Sequence, residues 1–249
     1  MTSKAPVTAR RKSGGVAFQQ PYTTVDVVIF TVLENALKVL LVQRPSDADE
    51  PFPAGWALPG GFVDVTADAT LEDCARRKLF EKTGVESPYL EQLGSWGSAT
   101  RDPRGWSATH VWFALIAAQD VELARGANAA EVAWFDVDAV VRKKRLAFDH
   151  NEILQAAVER LRSKVEYTSL PAFLLPEPFT LPQLQRVYEV VLDRAVDKSG
   201  FRTRMLAAGF LKEVGYVAGD SNRPALGYCL IDRDTPVVFP RTFSPRGGD

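Results

Sequence analysis

Between Trp56 and Val85 the chain reads WALPGGFVDVTADATLEDCARRKLFEKTGV, and the glycine pair inside it constrains the fold more than any other feature. A short apolar strand enters Gly60-Gly61. The segment from Thr70 to Lys82 then carries Leu71, Cys74, Ala75 and Leu79 near helical spacing, with Gly84 as its stop. Strands surround this unit. Thr24 to Leu33 and Leu37 to Gln43 are β-branched, apolar runs joined by Glu34-Asn35, a pair suited to a hairpin turn. Trp106 to Ala118 and Glu131 to Val137 add further strands. Asp149 with Glu152 three residues on reads as a capping box that starts a helix running towards Lys164. The first half is therefore α+β, a mixed sheet flanked by helices.

The texture changes at Tyr167. Pro171, Pro176 and Pro178 punctuate the stretch to Phe179, which reads as a linker or extended connection. Beyond it, Thr180 with Gln183 caps a helix that buries Leu184, Val187, Tyr188 and Val191. A second helix, capped by Asp197 or Ser199, runs to about Leu211. Val214 to Val217 and Leu226 to Ile231 form a hairpin around Gly219-Asp220-Ser221-Asn222. Helix, short turn, helix and hairpin is the order of a winged helix. The expected organisation is a disordered basic arm over 1–20, an α+β domain over 21–166, a linker over 167–179, a winged helix over 180–240 and a flexible tail over 241–249.

Bulk composition excludes several classes. Hydrophobic content of 46% and charged content of 24% are ordinary for a chain that buries a core. No apolar run approaches the ~20 residues needed to cross a bilayer, and the N-terminus lacks the apolar stretch of a secretory signal. Cys74 and Cys229 lie far apart and read as reduced packing thiols of a cytoplasmic protein. The net charge of −1 gives no global case for nucleic-acid binding, so that case rests on local charge. It is strongest on the second C-terminal helix, with Lys198, Arg202, Arg204 and Lys212 against Asp197 alone. There Phe201, Met205 and Ala208 point to a core, while Ser199, Arg202 and Thr203 point largely away. That face suits a major groove, with Arg223 at the hairpin tip as a wing contact; a protein-interaction winged helix is the competing reading.

The stretch Gly60 to Val85 resembles the Nudix box, G-x5-E-x7-R-E-U-x-E-E-x-G-U, where U is bulky and aliphatic. The resemblance implies a domain that binds a nucleoside diphosphate linked to another group. In the family, glutamates of this helix hold Mg²⁺ or Mn²⁺ against the pyrophosphate. Here the acids are displaced. Aligned on Arg77 and Gly84, Lys78 and Lys82 stand where the first and last glutamates of R-E-U-x-E-E belong, and Glu81 keeps one carboxylate. After a two-residue insertion the upstream glutamate position falls on Ala69, with Asp68 nearby. An ammonium ~5 Å from a divalent cation repels it by several kcal/mol at an effective dielectric near 20. The expectation is a domain without metal-dependent hydrolase activity of physiological size, residual activity being left open, and without a required cofactor. Lys78 and Lys82 then form either a solvated face or direct contacts to a pyrophosphate.

Other contacts follow from the same resemblance. Arg44 ends the second strand within reach of phosphate, and Gly61 belongs to the loop itself. Phe62 and Trp56 flank that loop, where a ring can stack on adenine; Trp56 reads equally well as core. Arg77 is either an internal ion-pair partner or a ligand contact. His110 and His150 have no companion at metal or triad spacing and read as structural.

Over the whole chain, TVDVVIF, LKVLLVQR, WALPGGFVD, RDPRG, AEVAWFDVD, LAFDHNEIL, FTLPQLQRVYEVVLDR and DKSGFRTRMLAAGFLKE resemble the NrtR family of Nudix-related transcriptional regulators of NAD metabolism. Membership implies a homodimer on a palindromic operator near genes of NAD synthesis or salvage, with ADP-ribose or a related nucleotide modulating DNA binding. It implies DNA contacts from Lys198, Ser199, Arg202, Thr203, Arg204 and Arg223. It also places Asp102 and Arg104, in RDPRG, beside the ligand, where the bland alternative is a type I turn. The principal alternative function is an active ADP-ribose or NAD pyrophosphatase with an accessory winged helix.

Overall fold

Strand β1 (Tyr22–Leu33) organises the first half, because residues Val25 to Phe30 are buried on both faces. It leaves through Glu34 and Asn35, both in the left-handed region with φ of 52° and 58°, as a tight hairpin requires, into β2 (Ala36–Gln43). The computed structural model describes residues 20–86, 89–121, 123, 130–218 and 224–239. The expected basic arm, the hairpin tip with Arg223 and the expected tail lie outside them, apart from Gln20.

The remaining strands are β3 (Trp56–Ala57), β4 (Gly60–Phe62), β5 (Tyr89–Ser98), β6 (Ser107–Leu115) and β7 (Glu131–Asp136). They form one seven-stranded sheet ordered β3-β2-β1-β6-β5, with β4 also pairing β1 and β7 pairing β2. β1 and β6 run parallel and the other pairs antiparallel. One face is covered by α1 (Leu71–Thr83), whose Cys74, Ala75 and Leu79 pack on Val25, Val27, Ile29 and Leu40. Thr70 and Asp73 cap that helix reciprocally, and Gly84, with φ of 69°, ends it. Helix α2 (Val137–Lys143) follows β7, and α3 (His150–Val165) covers the opposite face through Ile153, Leu154, Ala157 and Leu161.

The C-terminal part is a winged helix. α4 (Leu181–Leu192) carries the Thr180–Gln183 capping box and buries Leu184, Val187, Tyr188 and Val191, as its sequence requires. α5 (Lys198–Ala207) is capped by Asp197, whose side chain accepts from the Gly200 N–H at 2.7 Å. A three-stranded sheet, β8 (Phe179–Thr180), β10 (Pro224–Leu230) and β9 (Leu211–Ala218) in that order, completes it.

Three expectations are corrected. The supposed linker 167–179 is packed: Leu170–Leu174 form a 3-10 helix of buried residues with Pro171 in its first turn. The prolines there set a turn rather than a spacer, because Leu170, Phe173 and Leu174 have a core to enter. The second C-terminal helix ends at Ala207, since Gly209 turns left-handed (φ 68°), and Lys212 lies on strand β9. Asp149 starts α3 without capping it through its side chain, which is taken by Arg101.

One apolar cluster runs from Val28, Phe30 and Val39 through α3 and the 3-10 helix to Leu184, Phe201 and Tyr228, so the two halves share a core. Tyr188 strengthens the joint: its buried hydroxyl donates to the Thr168 carbonyl at 2.7 Å. Tyr188→Phe leaves that carbonyl unsatisfied, and the urea midpoint of the whole chain is expected to fall by about 1–2 kcal/mol equivalent with the m-value unchanged.

Candidate functional site: a cation-lined cleft and a basic helix

The glycine loop, α1, the 101–104 turn and the start of α3 enclose an open cleft of about 830 Å³, within the usual size range for small-ligand sites. Two backbone features shape its rim. A Cβ on Gly60 would stand 1.9 Å from Asp26 Oδ1, and Gly61 adopts φ 151°, so neither position tolerates a side chain without strain. Lys78 Nζ lies over Gly61, 3.3 Å from where a Cβ would project.

α1 supplies the cations. Arg77 grips the buried Asp68 through two bonds, Nε–Oδ1 at 2.7 Å and Nη2–Oδ2 at 2.6 Å, and reaches Glu81 through Nη1 at 2.9 Å. This is the internal ion-pair role weighed for Arg77, although its side chain also lines the cleft. The fork holds the Asp68 carboxyl far below the usual range and raises the guanidinium. Burial, with Asp68 alongside, pushes the neighbouring Cys74 thiol up to about 12, which removes it as a nucleophile.

Glu81 is shared, since Lys78 Nζ also approaches it at 3.6 Å. Lys78 keeps 13% of its side-chain exposure and Lys82 is buried at 7%. A solvated lysine face is therefore ruled out: both side chains line the cleft. Burial, reinforced by Lys78 and opposed by Glu81, lowers the Lys82 pKa.

The opposite wall comes from distant segments. Arg44 donates Nε to the Pro51 carbonyl at 2.7 Å, pairs with Glu50 at 2.7 Å and lies 5.0 Å over the Phe148 ring. Asp102 is buried and held bidentately by Arg104, which sits 5.2 Å over the exposed ring of Phe62. The Gly105 N–H bonds back to the Asp102 carbonyl, so RDPRG is both a tight turn and part of the wall. Trp56, in contrast, does not line the cleft; it packs edge-on against Phe135 with Lys144 over its ring, the core alternative.

The floor holds residues that sequence reasoning missed. Asp26 accepts from Thr109 Oγ1 at 2.7 Å and lies 3.5 Å from His150 Nε2 and 3.8 Å from Arg101 Nη2. His150 Nδ1 accepts the Leu58 N–H at 2.9 Å, which leaves Nε2 to face Asp26. Burial works against ionising Asp26, yet His150, Thr109 and Arg101 outweigh it and hold the carboxyl below its ordinary range. The available signal was one acid inside the apolar run TVDVVIF. His110 meets Ser95 Oγ at 2.9 Å on the sheet, away from this cleft.

A divalent cation does not fit this donor set. Glu81 is engaged by Arg77 and Lys78, Glu50 by Arg44, and Asp102 by Arg104. Among the described residues no three histidine, cysteine or carboxylate side chains converge as metal ligands.

The second site is α5. Lys198, Ser199, Arg202 and Thr203 are exposed while Phe201 and Met205 are buried, and the Ser199 hydroxyl donates to Asp197 Oδ2 at 3.0 Å. Arg204 is exposed too, but its Nη2 donates to the Glu166 carbonyl at 3.0 Å and its guanidinium lies 5.0 Å over Phe239.

Fold and sites together define a Nudix-type nucleotide cleft joined to a winged helix. The NUDIX domain model matches residues 23–157, and the model of the NrtR DNA-binding winged helix domain matches 171–230. The chain belongs to the NrtR family. It is 43% identical over 224 residues, 90% of this chain and 88% of the other, to the ADPR responsive transcriptional repressor NtrR of Acinetobacter baylyi. Shewanella oneidensis NrtR complexed with a 27mer DNA superposes with a TM-score of 0.75 at 44% identity, covering 84% of this chain and 93% of that one. The NUDIX domain of the same Shewanella protein, complexed with ADP ribose, matches at 44% identity and a TM-score of 0.52 over 58% of this chain and 90% of that one.

The Asp68–Arg77 fork makes a pH-dependent contribution. The folded pKa of Asp68 is depressed, so its stabilisation is complete above the unfolded carboxyl value of ~3.9 and fades as pH falls below it. Asp68→Asn is expected to cost about 3 kcal/mol at pH 7 by chemical denaturation. The gap to the parent protein should shrink on acidification below pH 4.

Proposed function

We propose that this chain is a transcriptional repressor of NAD biosynthesis or salvage genes whose hold on DNA is modulated by ADP-ribose or a related NAD-derived nucleotide. The observation that carries the reading is the shared core: a cation-lined cleft of nucleotide size and a basic, outward-facing helix sit on one continuous body. Residues 21–166 sense and residues 180–240 bind DNA, with 167–179 as a packed joint between them.

In this reading Arg44, Lys78, Lys82 and Arg104 face the pyrophosphate, Gly61 lets it approach the backbone, and Phe62 offers a ring to a base. Arg77, Glu81 and Asp102 hold those groups in place. Lys198, Ser199, Arg202 and Thr203 meet the major groove, with Arg223 as a wing contact. The protein acts as a cytoplasmic homodimer on a palindromic operator, because a twofold protein presents two recognition helices to two half-sites. Effector and DNA need a coupling of only about 1–3 kcal/mol. The displaced acids make it a binder rather than a hydrolase, with no cofactor required.

A gel-shift series on the chain's own upstream DNA, with a panel of NAD-related nucleotides, tests the reading. Retardation that ADP-ribose changes supports it. No retardation at low salt would favour a protein-interaction winged helix, since phosphate contacts alone give salt-sensitive binding. Mg²⁺-dependent release of AMP at ordinary enzyme rates would restore the pyrophosphatase reading.

Two substitutions sharpen it. Arg202→Ala is expected to weaken operator binding and, where the side chain reads a guanine, to relax discrimination there by ~1–3 kcal/mol. Lys82→Glu is expected to weaken ADP-ribose binding at least tenfold in calorimetry, and an unchanged affinity would remove Lys82 from the ligand contacts.

A further inference from the structure

The two ends of α3 touch the two sites. Over its 16 residues, roughly 24 Å of helix, it runs from the floor of the cleft to the back of the winged helix. At the start, the Asp149 carboxylate takes both Nε and Nη2 of Arg101, at 2.9 and 2.8 Å, while His150 lies against Asp26. Near the end, Arg162 Nε donates to the Val191 carbonyl of α4 at 3.0 Å. One turn further, Glu166 holds two arginines of the DNA-binding half. Its carboxylate pairs with Arg194 at 2.7 Å, between α4 and α5, and its carbonyl accepts Arg204 Nη2 at 3.0 Å.

Arg202 and Arg204 therefore differ in kind, although both lie exposed on a helix of basic character. The Arg202 side chain projects into solvent, whereas Arg204 is committed to a carbonyl on one side and to the Phe239 ring on the other. A planar fork lodged between a carbonyl and an aromatic face fixes the rotation of its helix.

We infer that Arg204 is a positioning residue rather than a DNA contact, and that Glu166 is the joint through which α3 sets the pose of α5 and passes on cleft occupancy. The inference rests on the effector-responsive reading above. It assigns to Arg204 a role other than the phosphate or base contact that its charge suggests.

Counterion release separates the two roles. Removing one phosphate contact reduces the slope of log K against log salt by about 0.9, whereas a change of helix pose with the phosphate contacts intact shifts the line and keeps its slope. Operator affinity of the full chain is to be measured by anisotropy across salt concentrations, with and without saturating ADP-ribose, for R204A, R204K and E166Q.

R204A is expected to bind several-fold more weakly with an unchanged slope and at least a threefold smaller ADP-ribose response. E166Q, altered where no DNA contact is placed, keeps the carbonyl that seats Arg204 and weakens only the exposed pair with Arg194, so it is expected to reduce the response in the same direction but by less than R204A. R204K separates the roles again. A lysine restores a phosphate contact as a point charge, but it does not rebuild the seat between the carbonyl and the ring.

A slope reduced by about 0.9 or more per protomer in R204A, with the response intact and binding restored in R204K, would overturn the inference. If ADP-ribose leaves the wild-type complex unchanged, the effector reading fails, and the salt slopes still decide what Arg204 does.

Discussion

A buried knot of charge holds the N-terminal half together. Asp26 on β1, Arg101 after β5, Asp149 at the mouth of α3 and His150 one residue on come from three parts of the chain and meet under the cleft. Buried charges persist only when paired and hydrogen-bonded. Here Thr109 and the Leu58 N–H complete the network. The sheet, the glycine loop and the helix that leads to the winged domain all depend on it. Gly60 lies so close to Asp26 that the acid and the absence of a side chain there are one requirement.

The chemistry of the cleft follows from what its acids are already doing. A carboxylate bound by a guanidinium is a poor ligand for a hard cation, since the ion must displace a partner as well as shed water. Glu81, Glu50 and Asp102 are all in that position. The cations beside them, Arg44, Lys78, Lys82 and Arg104, line a space whose charge suits a polyanion.

What the sequence disclosed was local. The turn at Glu34-Asn35, the Thr180–Gln183 box and the stop at Gly84 each depend on residues within a few positions, and the structure has all three. The burial stripe of α4 was equally plain. What stayed hidden depends on partners far along the chain. Asp149 and Glu152 spell a capping box, yet Arg101, 48 residues upstream, takes the Asp149 carboxylate. The prolines after Tyr167 suggested a spacer because nothing nearby shows that Leu170 and Phe173 have a core to enter. Strand β5, interrupted by Gly94 and Gly97, lacked a clean alternation, and Trp56 turned inward because Phe135 waits across the sheet. The basic face of α5 was visible, but its helical spacing could not say that Arg204 bends back to Glu166.

The continuous apolar seam between the halves also bears on ancestry. Modules strung on a flexible tether can be shuffled between genes with little adjustment. Here a recombination event that joined the winged helix to a different partner would have to bring the 3-10 turn and the outer face of α3 with it, or leave Leu170, Phe173 and Leu184 facing water. Such a seam makes each half part of the other's packing, so a change of volume on one side calls for a compensating change on the other.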